Sequence, residues 1–303
     1  MTDEPIREEF ETKEAWLQAR RAAMTSTDAA VILGLEPYGK TPLRLYAEKL
    51  NLVAPDTVAT EAMDWGVLLE EPIARRYETV TGRLVTKDNA AGYVLFRRPE
   101  TSHAATPDFF IDDNTHQGRG VLEVKNVGPW KLDEWTSEPP LIFQVQLQWQ
   151  LYVMGYGWGA IAALIGGQKL LHYTLRRNDR FIRMVLVRVD EFWARVDAKD
   201  APLAHAADQR LLSTLYADPI RGKIIDLPPD AVIWDVQLQR AKEQLKELER
   251  LKDEAEASLK SLIGDAEVGV LPDGAGVYSW LDVTRAGYEV PPGRYRQLRR
   301  RKT

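Results

Sequence analysis

The segment that most constrains this chain is Leu141 to Gln168, which carries no charged residue. A run of that length could cross a bilayer. However, Gln144, Gln146, Gln148 and Gln150 fall inside it, and Gly155, Gly157 and Gly159 follow. Four amides in hydrocarbon are costly, and the glycines punctuate the run. It therefore reads as a buried helix, a turn and a strand. Met1-Thr2-Asp3-Glu4 lacks the basic and apolar regions of a signal peptide, so the expectation is a soluble, cytoplasmic protein with no membrane span. At 100° per residue, Gln144 and Gln148 share one ridge, and Gln146 and Gln150 lie on a nearly opposite one. Buried amides need polar partners. A metal site or a nucleic-acid backbone would serve, and so would buried main-chain groups that the amides cap.

Upstream, Tyr93–Arg97, His103–Thr106, Phe109–Ile111 and Val121–Lys125 read as strands, and a polar loop from Asp112 to Gly120 joins the last two. Trp158–Ile165 and Lys169–Arg176 add two more. Residues two apart on a strand point the same way, so Glu123 and Lys125 share one face. Asp108, in Thr106-Pro107-Asp108, closes a neighbouring strand pattern and can set a second carboxylate beside them. Two carboxylates hold a hard divalent cation, and a nearby ammonium can orient an attacking water. Together these are the parts for metal-assisted phosphodiester cleavage. The plain alternative is a surface strand carrying a salt bridge.

Helical spacing appears over residues 8–24, with Phe10, Trp16 and Leu17, and from Thr27 to Leu33. Thr41-Pro42 opens a third helix. A fourth carries Glu70 and Glu71, with Leu69, Ile73, Tyr77 and Val80 as its apolar stripe; Pro72 suits its first turn and Gly82 its end. Phe181 to Val196 is again helical. Helices before and after a central mixed sheet give an α/β core over residues 1–226. Beyond the linker Leu227-Pro228-Pro229, Leu238, Ala241, Leu245, Leu248, Ala255, Leu259 and Leu262 form a heptad-like seam, broken by Lys252, over 230–264. This helix either packs on its own domain or forms a coiled coil with a partner. Residues 265–303 suggest a β-hairpin and a basic tail, in which Arg285 to Thr303 hold seven Lys or Arg against one Glu.

The net charge of −5 argues against indiscriminate coating of nucleic acid, so a DNA enzyme of this balance must concentrate its cations locally. There is no cysteine, which excludes disulfides, thiolate metal sites and iron–sulfur clusters. Arg20, Arg21, Ser26 and Thr27 bring cations and hydroxyls to a helix N-terminus, a combination suited to phosphate or to plain capping. Lys169, Arg176, Arg177, Arg180 and Arg183 either bind backbone phosphates or form a solvated edge. The four histidines are scattered and receive no role.

Taken in order, five segments resemble the YqaJ-type viral recombinase family, kin to the lambda-type phage exonucleases. They are Met24 to Gly34 with Pro37-Tyr38, Trp65 to Glu70, Thr106 to Asp108, Leu122 to Lys125, and Gln146 to Gln150 leading to Gly155. The resemblance spans about residues 14–200. It implies a PD-(D/E)xK nuclease core and a 5′→3′ exonuclease that uses Mg²⁺ or Mn²⁺, two ions, on double-stranded DNA ends. Asp108, Glu123 and Glu70 would then be metal ligands, with the Val124 carbonyl completing a shell and Glu71 the alternative helix ligand. Lys125 would position or activate water, and Gln146 matches the motif glutamine. Arg20 and Thr27, a threonine where the family has serine, would hold a 5′-phosphate, with Ser26 beside them. The resemblance further implies a 3′ single strand passed to a single-strand annealing protein, a ring-shaped homo-oligomer, and a phage or prophage origin in a bacterial host. A structure-specific or restriction-type endonuclease and a non-catalytic DNA-end-binding module are the rival readings.

Overall fold

The computed structural model describes residues 4–35, 39–54, 60–88, 93–113 and 118–284, with Gly287, Leu298 and Arg300. Pro37-Tyr38 and most of the basic tail lie outside the described residues. The chain divides into two compact units, one through Ala217 and one from Asp218.

In the first unit, Ile6–Phe10 is a strand (β1), not the start of a helix. It pairs antiparallel with Tyr93–Arg97 (β3), and Glu8 meets Arg97 across the pair at 2.8 Å. Helical spacing over this segment loses to cross-strand pairing. The helix begins only at Lys13 (α1, Lys13–Arg21), where Thr12 accepts the Ala15 N–H. Ala104–Ala105 (β4) completes this three-stranded sheet.

The main sheet has the order β2-β5-β6-β7-β8, formed by Leu84–Thr86 (β2), Phe109–Asp112 (β5), Gly120–Val127 (β6), Trp158–Ile165 (β7) and Lys169–Arg176 (β8). β6 and β7 run parallel and the other neighbours antiparallel. A parallel pair needs a crossover, and the uncharged run supplies it. Leu141–Met154 (α5) is buried from Val145 to Met154, ends at Gly155 with φ 72°, and leads into β7. Val121 and Val127 of β6 pack in the core beneath α5, whereas Leu122 and Val124 pack in a second core beneath Glu61–Thr81 (α4). By alternation, Glu123 and Lys125 face the α5 side.

Ser26–Ile32 (α2) is capped by Thr25, and Pro42–Lys49 (α3) by Thr41. α4 starts at Glu61, capped by Thr60, so Pro72 sits in its interior rather than in its first turn. There proline leaves the Leu68 carbonyl without its helical N–H partner. Asp179–Ala198 (α6) and Gln209–Leu215 (α7) follow. A 3-10 stretch over Pro129–Trp135 lacks a periodic signature, yet Trp135 is fully buried and stacks on Phe143 at 5.1 Å. Among the described residues no helix is long and apolar enough to cross a membrane.

The second unit contains Ala231–Ile263 (α8), which buries none of its residues, and the hairpin Val268–Val270 (β9) with Val277–Ser279 (β10). Arg300 pairs with Asp235 of α8 at 3.0 Å.

Candidate active site

The strand alternation, the turn before β5 and the inner ridge of α5 converge on one cleft of about 460 Å³. Asp108 enters from the turn before β5, and its Oδ2 accepts the Val124 N–H at 2.8 Å, which ties it to the edge of β6. Glu123 is 5% exposed. Its Oε1 is paired with Lys125 Nζ, and its Oε2 accepts from Gln150 Nε2 at 2.6 Å. The Lys125 ammonium also lies 5.1 Å from the centre of the Phe143 ring. Gln146, one turn earlier on the same ridge as Gln150, lines the same cleft. Glu70 of α4 reaches it too, held by Lys87 at 3.4 Å. Glu71 points to Arg75, 2.7 Å away.

Burial raises the Asp108 carboxyl well above the usual carboxylate range, and the nearby Glu123 adds to the effect; Lys125 and the Val124 N–H only partly offset it. Burial also raises Glu70, against the pull of Lys87. Loss of hydration, ahead of mutual repulsion, thus leads both shifts, and it leaves carboxylate oxygens short of partners. Hard oxygen donors in such a setting suit a divalent cation such as Mg²⁺ or Mn²⁺, and on this chemistry the donor set fits one. Among the described residues no three His, Cys, Asp or Glu side chains stand close enough to cage an ion. Asp108 and Glu123 form the close pair, and Glu70 stands off with Lys87.

Arg20, Ser26 and Thr27 line the same cleft. Arg20 sits 4.5 Å over the Trp16 ring and donates to the Thr106 hydroxyl. Burial lowers its pKa, opposed by Asp28, Asp108 and Glu123. α2, which carries Ser26 and Thr27, is pinned by a buried ion pair in which Lys49 Nζ lies 2.8 Å from Asp28 Oδ2. Asp28 in turn accepts the Thr25 N–H and completes the capping box. Arg21 faces away, to Asn51.

The YqaJ-like viral recombinase domain profile matches residues 15–157, the stretch that builds this cleft. An uncharacterized YqaJ protein of Bacillus subtilis (strain 168) is 31% identical over 266 residues, which is 86% of this chain and 81% of the relative. The chain belongs to the YqaJ-like viral recombinase family. Its fold is also that of an alkaline exonuclease from Laribacter hongkongensis, with a TM-score of 0.50 and 23% identity over 62% of this chain and 94% of that one. That exonuclease has also been solved in complex with dAMP, with the same overlap.

Within this YqaJ-like chain the four glutamines of α5 divide by ridge. Gln144 Nε2 donates to the Pro139 carbonyl at 2.7 Å, and Gln148 spans the Arg176 carbonyl and the Asn178 N–H, each at 2.8 Å. Those two cap main chain; Gln146 and Gln150 face the cleft. Sequence reasoning missed Trp16, Lys87 and Gln150 as cleft residues. Gln150 was recoverable as the ridge mate of Gln146, and Trp16 as the residue one turn before Arg20. Lys87 follows a three-residue strand too short to register. Of the Lys169–Arg183 cations, Arg177 is engaged by Asp179 at 2.7 Å and by the Leu151 carbonyl.

Proposed function

We propose that this chain is a metal-dependent DNA exonuclease that degrades duplexes 5′→3′ from 5′-phosphorylated ends. The observation that carries the reading is the pairing of half-buried Asp108 with buried Glu123, with Lys125 beside them, in the cleft that Arg20, Ser26 and Thr27 also line. Family and fold support the nuclease class.

Asp108, Glu123 and the Val124 carbonyl, with Glu70, are the groups that would hold Mg²⁺ or Mn²⁺, in one or two positions. A cation there would polarise the scissile phosphate and lower the pKa of an attacking water. Lys125, released from Glu123, orients that water. Arg20 and the Ser26 and Thr27 hydroxyls bind the terminal 5′-phosphate through charge-assisted hydrogen bonds. Thr106 and Trp16 hold Arg20 in place before DNA arrives, which lowers the ordering cost at the moment of binding. Gln146 lines the same cleft and is the further polar group we assign to the reacting phosphate. The undigested 3′ strand would pass to a single-strand annealing protein, and the heptad face of α8 is the segment we propose for self-association.

The test uses duplexes labelled at either end, with and without a 5′-phosphate, in Mg²⁺, alongside a covalently closed circle. Release of 5′ nucleotides from the phosphorylated duplex, loss of activity in EDTA, and a fall of about 10²–10⁴-fold in Lys125→Ala are expected. Cutting of the circle, or full activity in EDTA, would overturn the reading.

A further inference from the structure

Gln150 stands apart from the other glutamines of its helix. Gln144 and Gln148 satisfy main-chain groups, whereas the Gln150 amide, 2% exposed, donates to the Glu123 carboxylate at 2.6 Å. A carboxylate is an acceptor only, so the NH₂ end of the amide must face it. The opposite end, Oε1, is buried without a hydrogen-bond partner among the described residues. A buried orphan acceptor is destabilising. The amide satisfies Glu123 at the expense of its own oxygen, the arrangement expected where the carboxylate is the group being held.

The two oxygens of Glu123 are divided between two neighbours, Oε1 to Lys125 and Oε2 to Gln150. When Lys125 turns toward a substrate water, Oε1 is released. The carboxylate keeps its rotation only if Oε2 remains held. Gln150 sits on a rigid, fully buried part of α5, whereas Lys125 has four rotatable bonds. The fixed partner of Glu123 is therefore the amide. Groups that orient a ligating carboxylate in this way tune metal affinity strongly.

We propose that Gln150 is a positioning residue, which fixes the Glu123 carboxylate for a divalent cation and sets the affinity of the site for it. This inference rests on the metal-dependent reading above. It is tested by titrating the full-length protein with Mn²⁺ and following free Mn²⁺ by electron paramagnetic resonance, together with the Tm of the metal-free protein. Gln150→Met is expected to weaken Mn²⁺ binding tenfold or more while keeping a cooperative metal-free melt, its Tm lowered by the donor lost from Glu123 Oε2. Gln144→Met, which breaks a main-chain contact at Pro139, is the control; its Mn²⁺ affinity should match the wild type whatever its Tm. Should Gln150→Met not fold, Gln150→Asn keeps the amide but draws it back from Glu123, and the same tenfold loss is expected. Wild-type Mn²⁺ affinity in the Gln150 variant would overturn this inference and leave the metal reading standing. Absence of Mn²⁺ binding by the wild type would overturn both.

Discussion

Replacing Lys49 by methionine should be among the most damaging single changes outside the cleft. The Lys49–Asp28 pair is 2.8 Å long, with its side chains 3% and 8% exposed. Methionine fills most of the lysine volume but leaves the Asp28 carboxylate buried in the first turn of α2 without its ion-pair partner. Removing one partner of a buried pair costs about 3–5 kcal/mol. At roughly 2–4 °C per kcal/mol for a unit of this size, Tm should fall by roughly 6–20 °C. Burial pushes the Asp28 carboxyl up, but Lys49, Lys40 and the Thr25 N–H outweigh it and hold it below the usual range. A carboxyl lowered in the folded state contributes stability that is present above its unfolded pKa and lost as pH falls through the folded one. The deficit of Lys49→Met should accordingly shrink in acid, where its Asp28 is protonated. Adding Asp28→Asn removes the stranded charge while keeping an acceptor for the Thr25 N–H, and should recover at least half of the loss. Urea unfolding of wild type, single and double variants at neutral and acid pH measures all three effects. A loss below about 1 kcal/mol, the value of an exposed pair, would refute the reasoning.

Other substitutions probe separate parts of the fold. His103 is buried, bonded through Nδ1 to the Tyr152 hydroxyl at 3.0 Å, and its pKa is lowered by burial. The unfolded imidazole takes a proton first, so wild-type stability should drop as pH falls below about 6.5; His103→Phe should flatten that slope in urea melts, and an unchanged slope would exclude His103 as its source. At Gly159 an added Cβ would stand 2.8 Å from the Val121 carbonyl and 2.9 Å from Leu147, so Gly159→Ala should cost about 1–3 kcal/mol; a neutral effect on Tm would show that β6 and β7 part freely. Leu245 and Leu248 of α8 are 58% and 62% exposed. Replacing both with glutamate should reduce the sedimenting mass to that of one chain, and an unchanged mass would count against the heptad face as the association surface.

Where the periods of sequence and structure coincide, the sequence was easily read. The uncharged run could only be a buried helix and strand, and the alternation along Val121–Lys125 put Glu123 and Lys125 on one face. The strand Ile6–Phe10 could not be read because its partner lies more than eighty residues away, and its charges mimic a helix surface until Arg97 reaches Glu8 diagonally across the pair. Pro72 misplaced the start of α4, since the deciding signal was the Thr60 cap rather than the proline. In the cleft, residue types announced Asp108, Glu123, Lys125 and Arg20. The contacts that hold them, from Gln150, Thr106 and Trp16, depend on which ridge of α5 and which turn of α1 meet the sheet. Ridge spacing narrows that choice but does not make it.

The most direct test of the central claim is anomalous diffraction from crystals of the full chain soaked in Mn²⁺. A peak bound by Asp108 and Glu123, with Lys125 turned off the Glu123 carboxylate, is the predicted result. A cleft without a peak, with Lys125 still on Glu123 and Asp108 bonded to the Val124 N–H alone, would contradict it.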